Sequence, residues 1–198
     1  MAAIAGALYV CGGSSDGQHA AESAERLRPD GPRCQWEALP AMEQGRGMHV
    51  ACALRGAVYA CGGYDSWSHS MATVEMLDPR AGAWTSVAPL LEKRARAAAA
   101  GCNGRLLVCG GFSGRLALAS AEALDPGAGA WEAIEPMWVR RDNAVAAWAC
   151  GRLYVFGGQD FGRPTKSFEA YDVALGTWCQ FASLDEAIMS AVASAVAC

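Results

Sequence analysis

Several features that would point to a particular class of protein are missing from this sequence of 198 residues. Basic residues are not in excess, because 16 Lys and Arg stand against 20 Asp and Glu, so no surface for nucleic acid is indicated. No apolar run approaches the roughly 18 to 20 residues that a membrane-spanning helix needs. The three histidines show no metal-ligand spacing, and no Cys-x-x-Cys pair occurs. We therefore expect no nucleic-acid partner, no membrane partner, no metal site and no cofactor.

The composition is that of a folded chain, with 53% hydrophobic and 18% charged residues. The apolar start, Met1 to Cys11, lacks the basic residues of a signal peptide and belongs to a pattern that recurs downstream. Nine cysteines, an odd number, favour free thiols over a disulfide framework. We expect a cytoplasmic protein.

Four internal repeats run along the chain at a period of 47 to 50 residues. Each repeat has an apolar run that ends in two glycines, then a glutamate, a tryptophan and, in three copies, an arginine. The glycine pairs are Gly12-Gly13, Gly62-Gly63, Gly110-Gly111 and Gly157-Gly158. The glutamates are Glu25, Glu75, Glu122 and Glu169, and the tryptophans are Trp36, Trp84, Trp131 and Trp178. The arginines are Arg46, Arg94 and Arg141, whereas the last repeat has Ile188.

Within each repeat, short stretches alternate polar and apolar residues, and Gly or Asp-Pro separates them. This pattern predicts an all-β fold with four short antiparallel strands per repeat, called a to d. In the second repeat we predict strands at 48–54, 57–61, 72–77 and 83–88. Since one such sheet cannot bury both faces, the sheets must stack on one another.

The series of glycine pair, glutamate, tryptophan and arginine at this period resembles the Kelch repeat. The resemblance covers about residues 7 to 182 and implies a β-propeller with one four-stranded sheet per repeat. It makes 1–198 a single domain, with repeats at about 7–46, 47–94, 95–141 and 142–188. The repeated glycines, glutamates and tryptophans are then scaffold: glycine for positive φ or close approach, and tryptophan for packing between sheets.

Propellers of this family more usually have six blades, and this sequence departs from that number. It opens at strand b, and 188–197 lies where a further strand a belongs. The chain is therefore either a four-bladed propeller closed by 189–198 or a fragment of a six-bladed one. A helix over 185–197 is a third alternative, and it would leave an open sheet edge.

Candidate contact residues lie in the b–c and d–a connections, which emerge at the same end of the sheets. In Kelch-type substrate adaptors the repeat arginine and the residue after the glycine pair contact an acidic peptide. By position, the resemblance nominates Arg46, Arg94, Arg141, Tyr64, Phe112 and Gln159, and the same loops add Arg115 and Trp67. A structural ion pair with Glu75, Glu122 or Glu169 is the alternative for the arginines.

The predicted function is a non-catalytic module that binds a protein or acidic peptide. The family resemblance further implies recruitment of substrates to a cullin-based ubiquitin ligase, through a domain that this sequence does not contain. An actin-associated scaffold is an alternative, and a carbohydrate-active enzyme of the Kelch fold is a weaker one, since no known catalytic motif is found.

Overall fold

The computed structural model describes residues 1–14, 19–29 and 34–187. In this part of the chain every regular element is a β-strand, and the strands form four four-stranded antiparallel sheets and one small hairpin. The predicted all-β class with four antiparallel strands per repeat is confirmed. None of the described residues forms a helix long and apolar enough to cross a membrane.

The chain divides into two compact units, residues 1–95 and 96–198, and each holds two sheets. In the first unit the first sheet has β1 (Ala2–Ile4), β2 (Ala7–Cys11), β3 (Ala24–Arg28) and β4 (Gln35–Leu39), and the second has β5 (Val50–Leu54), β6 (Ala57–Cys61), β7 (Val74–Asp78) and β8 (Ala83–Val87). In the second unit the third sheet has β9 (Ala98–Cys102), β10 (Arg105–Cys109), β11 (Ala121–Asp125) and β12 (Ala130–Ile134). The fourth sheet has β13 (Val145–Ala149), β14 (Arg152–Phe156), β17 (Phe168–Asp172) and β18 (Thr177–Gln180), and β15 (Gln159–Asp160) and β16 (Arg163–Pro164) form the hairpin.

The first sheet has its own strand a, and on this point the sequence-based prediction is wrong. Ala2–Ile4 pairs antiparallel with β2, so the sheet does not begin at strand b. The reason is the turn Ala5-Gly6, whose φ values of 48° and 79° are those of a tight hairpin turn. The same two-residue turn joins strands a and b in the other three sheets. The predicted closing strand at 189–198, and Ile188, lie outside the described residues.

Tryptophan packing joins neighbouring sheets inside each unit. In the first unit, Trp84 packs against the buried cluster of Tyr9, Val58 and Leu77, and its indole Nε1 donates to Pro40 O at 2.9 Å. In the second unit, Trp178 is buried in the core, and its Nε1 donates to Glu135 O at 2.6 Å. Each indole thus covers apolar area and satisfies its N–H on the preceding connection.

Trp36 departs from the predicted scaffold role, because 48% of it is exposed. It pairs with Leu27 across the first sheet, and its face of that sheet also carries the exposed Val10. The opposite face of this sheet, with Ala2, Ala7 and Tyr9, packs on the second sheet. Trp36 therefore lies on the face that the described part of the first unit leaves uncovered.

Candidate recognition loops

Strands alternate in direction, so the b–c and d–a connections of each unit emerge at one end, here called the loop side. The a–b and c–d turns lie at the opposite end, called the turn side. The loop-side segments are 12–23, 40–49, 62–73 and 88–95 in the first unit and 110–120, 135–144, 157–167 and 181–187 in the second. Connections held by rigid sheets commonly carry recognition residues.

One of the two repeat arginines of the first unit, Arg46, is fully buried. Its Nη2 donates to Glu75 Oε1 at 2.9 Å, and its Nη1 donates to the carbonyl oxygens of Gly62 and Thr73 at 3.0 and 2.8 Å. Glu75 also accepts the backbone N–H of Glu43 at 2.6 Å. The guanidinium is thus enclosed by the protein itself and cannot reach a peptide on the surface.

Arg141 has the same environment in the second unit. Its side chain is fully buried, with Nη2 at 2.5 Å from Glu169 Oε1 and Nη1 at 2.7 Å from Gly157 O. Glu169 accepts the backbone N–H of Trp138 at 2.7 Å. Arg94, at the equivalent position, is also buried.

The nomination of Arg46, Arg94 and Arg141 as contact residues therefore needs correction. Burial removes all three from the surface, and for Arg46 and Arg141 the alternative of an ion pair with the repeat glutamate is the arrangement found. The physical reason is that a buried glutamate with no cation would carry a large desolvation cost. These arginines are scaffold.

The glycine pairs shape the same connections. In Gly110-Gly111 both residues have positive φ, 63° and 96°, and a Cβ on Gly110 would lie 2.5 Å from Arg141 O. The N–H of Gly111 donates to that carbonyl at 2.9 Å. The pair is therefore needed both for its backbone conformation and for the close approach of the arginine backbone.

In the first unit the b–c loop of the second repeat presents Trp67. Asp65 Oδ1 accepts the backbone N–H of Trp67 at 2.9 Å and of His69 at 2.8 Å, which fixes the loop. Burial raises the pKa of Asp65, but these hydrogen bonds outweigh that effect and hold the pKa below its usual value. Trp67 is 79% exposed, whereas Tyr64 is half-buried and bridges Gly47 and Ser70.

In the second unit the structure brings two predicted residues next to a charged pair. The Arg96 guanidinium lies 5.8 Å from the centre of the Phe112 ring and 3.5 Å from Asp142 Oδ2. Gln159 exchanges backbone hydrogen bonds with Asp142, both at 2.9 Å. Arg115 is exposed in the neighbouring connection.

The sequence analysis did not nominate Trp138 and Phe161, which are exposed on the loop side of the second unit. Phe161 occupies the tip of the β15–β16 hairpin, where it has a φ of 48° and precedes Gly162. An aromatic residue before glycine in a polar loop was the available signal. Trp138 follows the buried Met137. The available signal for Trp138 was that it lies outside the tryptophan series of the repeats.

The charge on these connections differs from that of the whole chain. In 110–120, 135–144 and 157–167 the exposed basic side chains are Arg115, Arg140, Arg163 and Lys166, and the exposed acidic one is Glu135. The whole chain has a formal net charge of −4. These three connections are therefore basic, whereas 181–187, which follows β18 on the same side, carries the exposed Asp185 and Glu186.

Cysteines and histidines occupy both buried and exposed positions. The described cysteines are free thiols, with Cys34, Cys150 and Cys179 exposed. Cys11 Sγ lies 3.5 Å from His49 Nε2, and burial together with nearby positive charge lowers the pKa of His49 to about 4. Among the described residues, no group of three His, Cys, Asp or Glu side chains is arranged to hold a metal ion.

Comparison with known families matches the Kelch motif three times, at residues 45–91, 93–137 and 140–184. The chain belongs to the Kelch-repeat family. The matched segments begin in the connections that carry the buried Arg46, Arg94 and Arg141. The motif therefore spans the scaffold elements described above, and the first, divergent repeat lies outside the matched segments.

A Kelch-type likeness is also found among solved structures. The chain is similar to the structure of YjhT, with a TM-score of 0.82 and 18% sequence identity over 93% of this chain. It spans 64% of the YjhT chain. No curated protein matches the sequence.

Proposed function

We propose that this Kelch chain is a non-catalytic module that binds an acidic peptide segment of a partner protein on the loop side of its second unit. The observation that supports this most is the pair of exposed aromatic residues, Trp138 and Phe161, among basic side chains. Exposed aromatics on rigid loops supply large contact area at low entropic cost. Arginine supplies paired hydrogen bonds to carboxylates.

The proposed contact uses different arginines from those that the sequence analysis nominated. Arg115 and Arg163 take the role that the buried repeat arginines cannot perform, and Arg140 lies beside Arg141 on the same connection. Phe112 and Gln159 contribute the neighbouring surface, with Arg96 held over the Phe112 ring. In the first unit, Trp67 and Tyr64 are the corresponding loop residues.

The test selects peptides from a random library on the wild-type protein and measures their affinity for two variants. Trp138→Ser with Phe161→Ser should weaken binding about tenfold or more, equivalent to ~1.4 kcal/mol. Leu175→Ser is the matched control, because Leu175 is 71% exposed and Phe161 is 73% exposed, but Leu175 lies on the turn side. Equal losses in the two variants, or selected peptides without acidic residues, would contradict the proposal.

The family resemblance supports a more specific use, the delivery of the bound protein to a cullin-based ubiquitin ligase. This use requires a ligase-binding region joined to the repeats, so it is tested by co-purification of cullin with the natural full-length product. The free thiols fit a reducing compartment such as the cytoplasm. Co-sedimentation with actin filaments separates the alternative of an actin-associated scaffold from the ligase use.

A further inference from the structure

A cavity of about 480 Å³ opens on the turn side of the first unit, at the opposite end from the recognition loops. It lies between the first and second sheets and is lined by Arg26, Arg28 and Arg80, with Tyr9 and the turn glycines Gly6 and Gly56. Small-molecule sites commonly have volumes of roughly 300 to 1,000 Å³. Three arginines around one cavity are unusual in a chain whose net charge is −4.

Strand geometry explains why two of these side chains enter the cavity. Tyr9 pairs with Arg26 across β2 and β3, so both project from the same face of the first sheet. Arg28 is two residues further along β3 and projects from that face as well. This is the face that packs on the second sheet through Ala7 and Tyr9. Arg80 reaches the cavity from the turn between β7 and β8.

The scaffold does not require arginine at these positions, because the other repeats are built without it. At the position of Arg26 the other repeats have Met76, Ala123 and Ala170. At the position of Arg28 they have Asp78, Asp125 and Asp172. At the position of Arg80 the third and fourth repeats have Gly127 and Ala174. The three aspartates accept backbone N–H groups and close the c–d turns, as Asp125 does with Gly127 at 2.8 Å. In the first repeat a cation, Arg28, stands at the position of this aspartate.

Among the described residues, only one of the three arginines of the cavity has an acidic partner. Arg26 is in an ion pair with Glu37. Arg28 and Arg80 are exposed, and their guanidinium groups have no acidic partner among residues 1–14, 19–29 and 34–187. The side chains that line the cavity therefore leave two positive charges unmatched.

We propose that this cavity binds a small phosphorylated ligand, a phosphate monoester whose dianion matches the charge of Arg28 and Arg80. A phosphate monoester carries about −1.5 to −2 charges at neutral pH and offers three acceptor oxygens. Arginine donates to phosphate through a planar fork, so two guanidinium groups satisfy it better than they satisfy a single carboxylate. Tyr9 and the glycine turns border the space for the organic part of the ligand.

The experiment is titration calorimetry of the wild-type protein with phenyl phosphate, and with phenylacetate as the singly charged comparison. Phenyl phosphate should bind with one-to-one stoichiometry and more tightly than phenylacetate. The variant Arg28→Asp with Arg80→Ala takes the residues found in other repeats, so it suits the scaffold. It should bind phenyl phosphate at least about tenfold more weakly, ~1.4 kcal/mol.

The control variant is Lys93→Asp with Arg152→Ala, which changes the net charge equally but lies outside the cavity; its affinity should stay within about twofold of wild type. Absence of phenyl phosphate binding by the wild type, or an equal loss in both variants, would overturn the proposal. If the cavity variant does not fold, Arg80→Ala alone, on an exposed turn, decides the question by the same comparison. The peptide-binding proposal is unaffected by either result, because its residues lie on the loop side.

Discussion

At the scale of single residues, Arg46 shows how one side chain holds the connection 40–49 against the second sheet through hydrogen bonds. Its guanidinium contacts the carbonyls of Gly62 and Thr73 and the carboxylate of Glu75. Glu75 in turn accepts the backbone N–H of Glu43, which belongs to the same connection as Arg46. The pair is thus a buried hydrogen-bonded network, in which loss of one member leaves the others unsatisfied.

The first prediction follows from this network. Arg46→Met should lower the free energy of unfolding by about 3 to 5 kcal/mol, because Glu75 would remain buried without its cation. Arg46→Met combined with Glu75→Gln removes both charges, and it should cost less than the single substitution. Urea unfolding measures both. An unchanged midpoint for Arg46→Met would show that the buried Glu75 carboxylate does not depend on this arginine for its stability.

His49 gives a second prediction, on pH. Its folded-state pKa is about 4, below the ordinary value of 6.5, because the buried charged form is disfavoured. Between these values the unfolded chain binds the proton and the folded chain does not, so stability is complete above pH 6.5 and falls as the pH drops towards 4.

His49→Gln should remove this part of the acid sensitivity. The effect is up to about 3 kcal/mol across the window, from ~1.4 kcal/mol per pKa unit. Thermal midpoints measured from pH 4 to pH 7 test it, with the exposed histidine substitution His69→Gln as control. A pH profile of His49→Gln that overlays the wild type would refute the assignment.

At the scale of elements, each sheet depends on two kinds of glycine position. The a–b hairpins use a two-residue turn such as Ala5-Gly6, in which positive φ is the requirement. The glycine pair after strand b adds a second requirement, since a Cβ on Gly110 would collide with the carbonyl of Arg141. The first kind of turn tolerates a side chain at the cost of strain, and the second does not.

The third prediction compares Gly110 of a glycine pair with Gly129, a glycine of a c–d turn that has nearly the same φ. Gly129→Ala, with φ 66° and no atom near the added Cβ, should cost about 1 to 2 kcal/mol of stability from backbone strain. Gly110→Ala, with φ 63°, should cost more by at least about 1 kcal/mol, because the overpacked Arg141 backbone must move. Chemical denaturation of both variants gives the difference. Equal costs would show that the close approach is not important.

At the scale of the whole molecule, the family match and the likeness to YjhT agree with four sheets built to one plan. The connections on the loop side and on the turn side of the sheets differ in sequence from repeat to repeat. The loop side of the second unit carries exposed aromatics and basic residues, and the turn side of the first unit carries the arginine-lined cavity. A fold whose interior is fixed by repetition can thus hold separate sites at opposite ends of its sheets.

Much of the fold was predictable because repetition makes the signal redundant. The second repeat was predicted as four strands, and the observed β5 to β8 differ at their ends by about two residues. The strand β1 was missed because its three residues are too short to show alternation, although the turn Ala5-Gly6 matches Asn103-Gly104.

The candidate site was less predictable. Tyr64, Phe112 and Gln159 were nominated from their position after the glycine pair, and the structure places them in loop-side connections. Whether they contact a partner stays a prediction. Trp138 and Phe161 were missed because neither recurs at its position in the other repeats and because exposure is not visible in the sequence.

By itself the sequence determined the all-β class, the four repeats and the residues that recur in them, because periodic spacing reports strand order without any knowledge of contacts. The tertiary structure decided which charges are inside. The sequence does not distinguish Arg46 from Arg28 by burial. In the structure Arg46 is buried in an ion pair with Glu75, whereas Arg28 lines an open cavity. That difference arises from the neighbouring sheet, since burial and pairing depend on residues that are distant along the chain and adjacent in space.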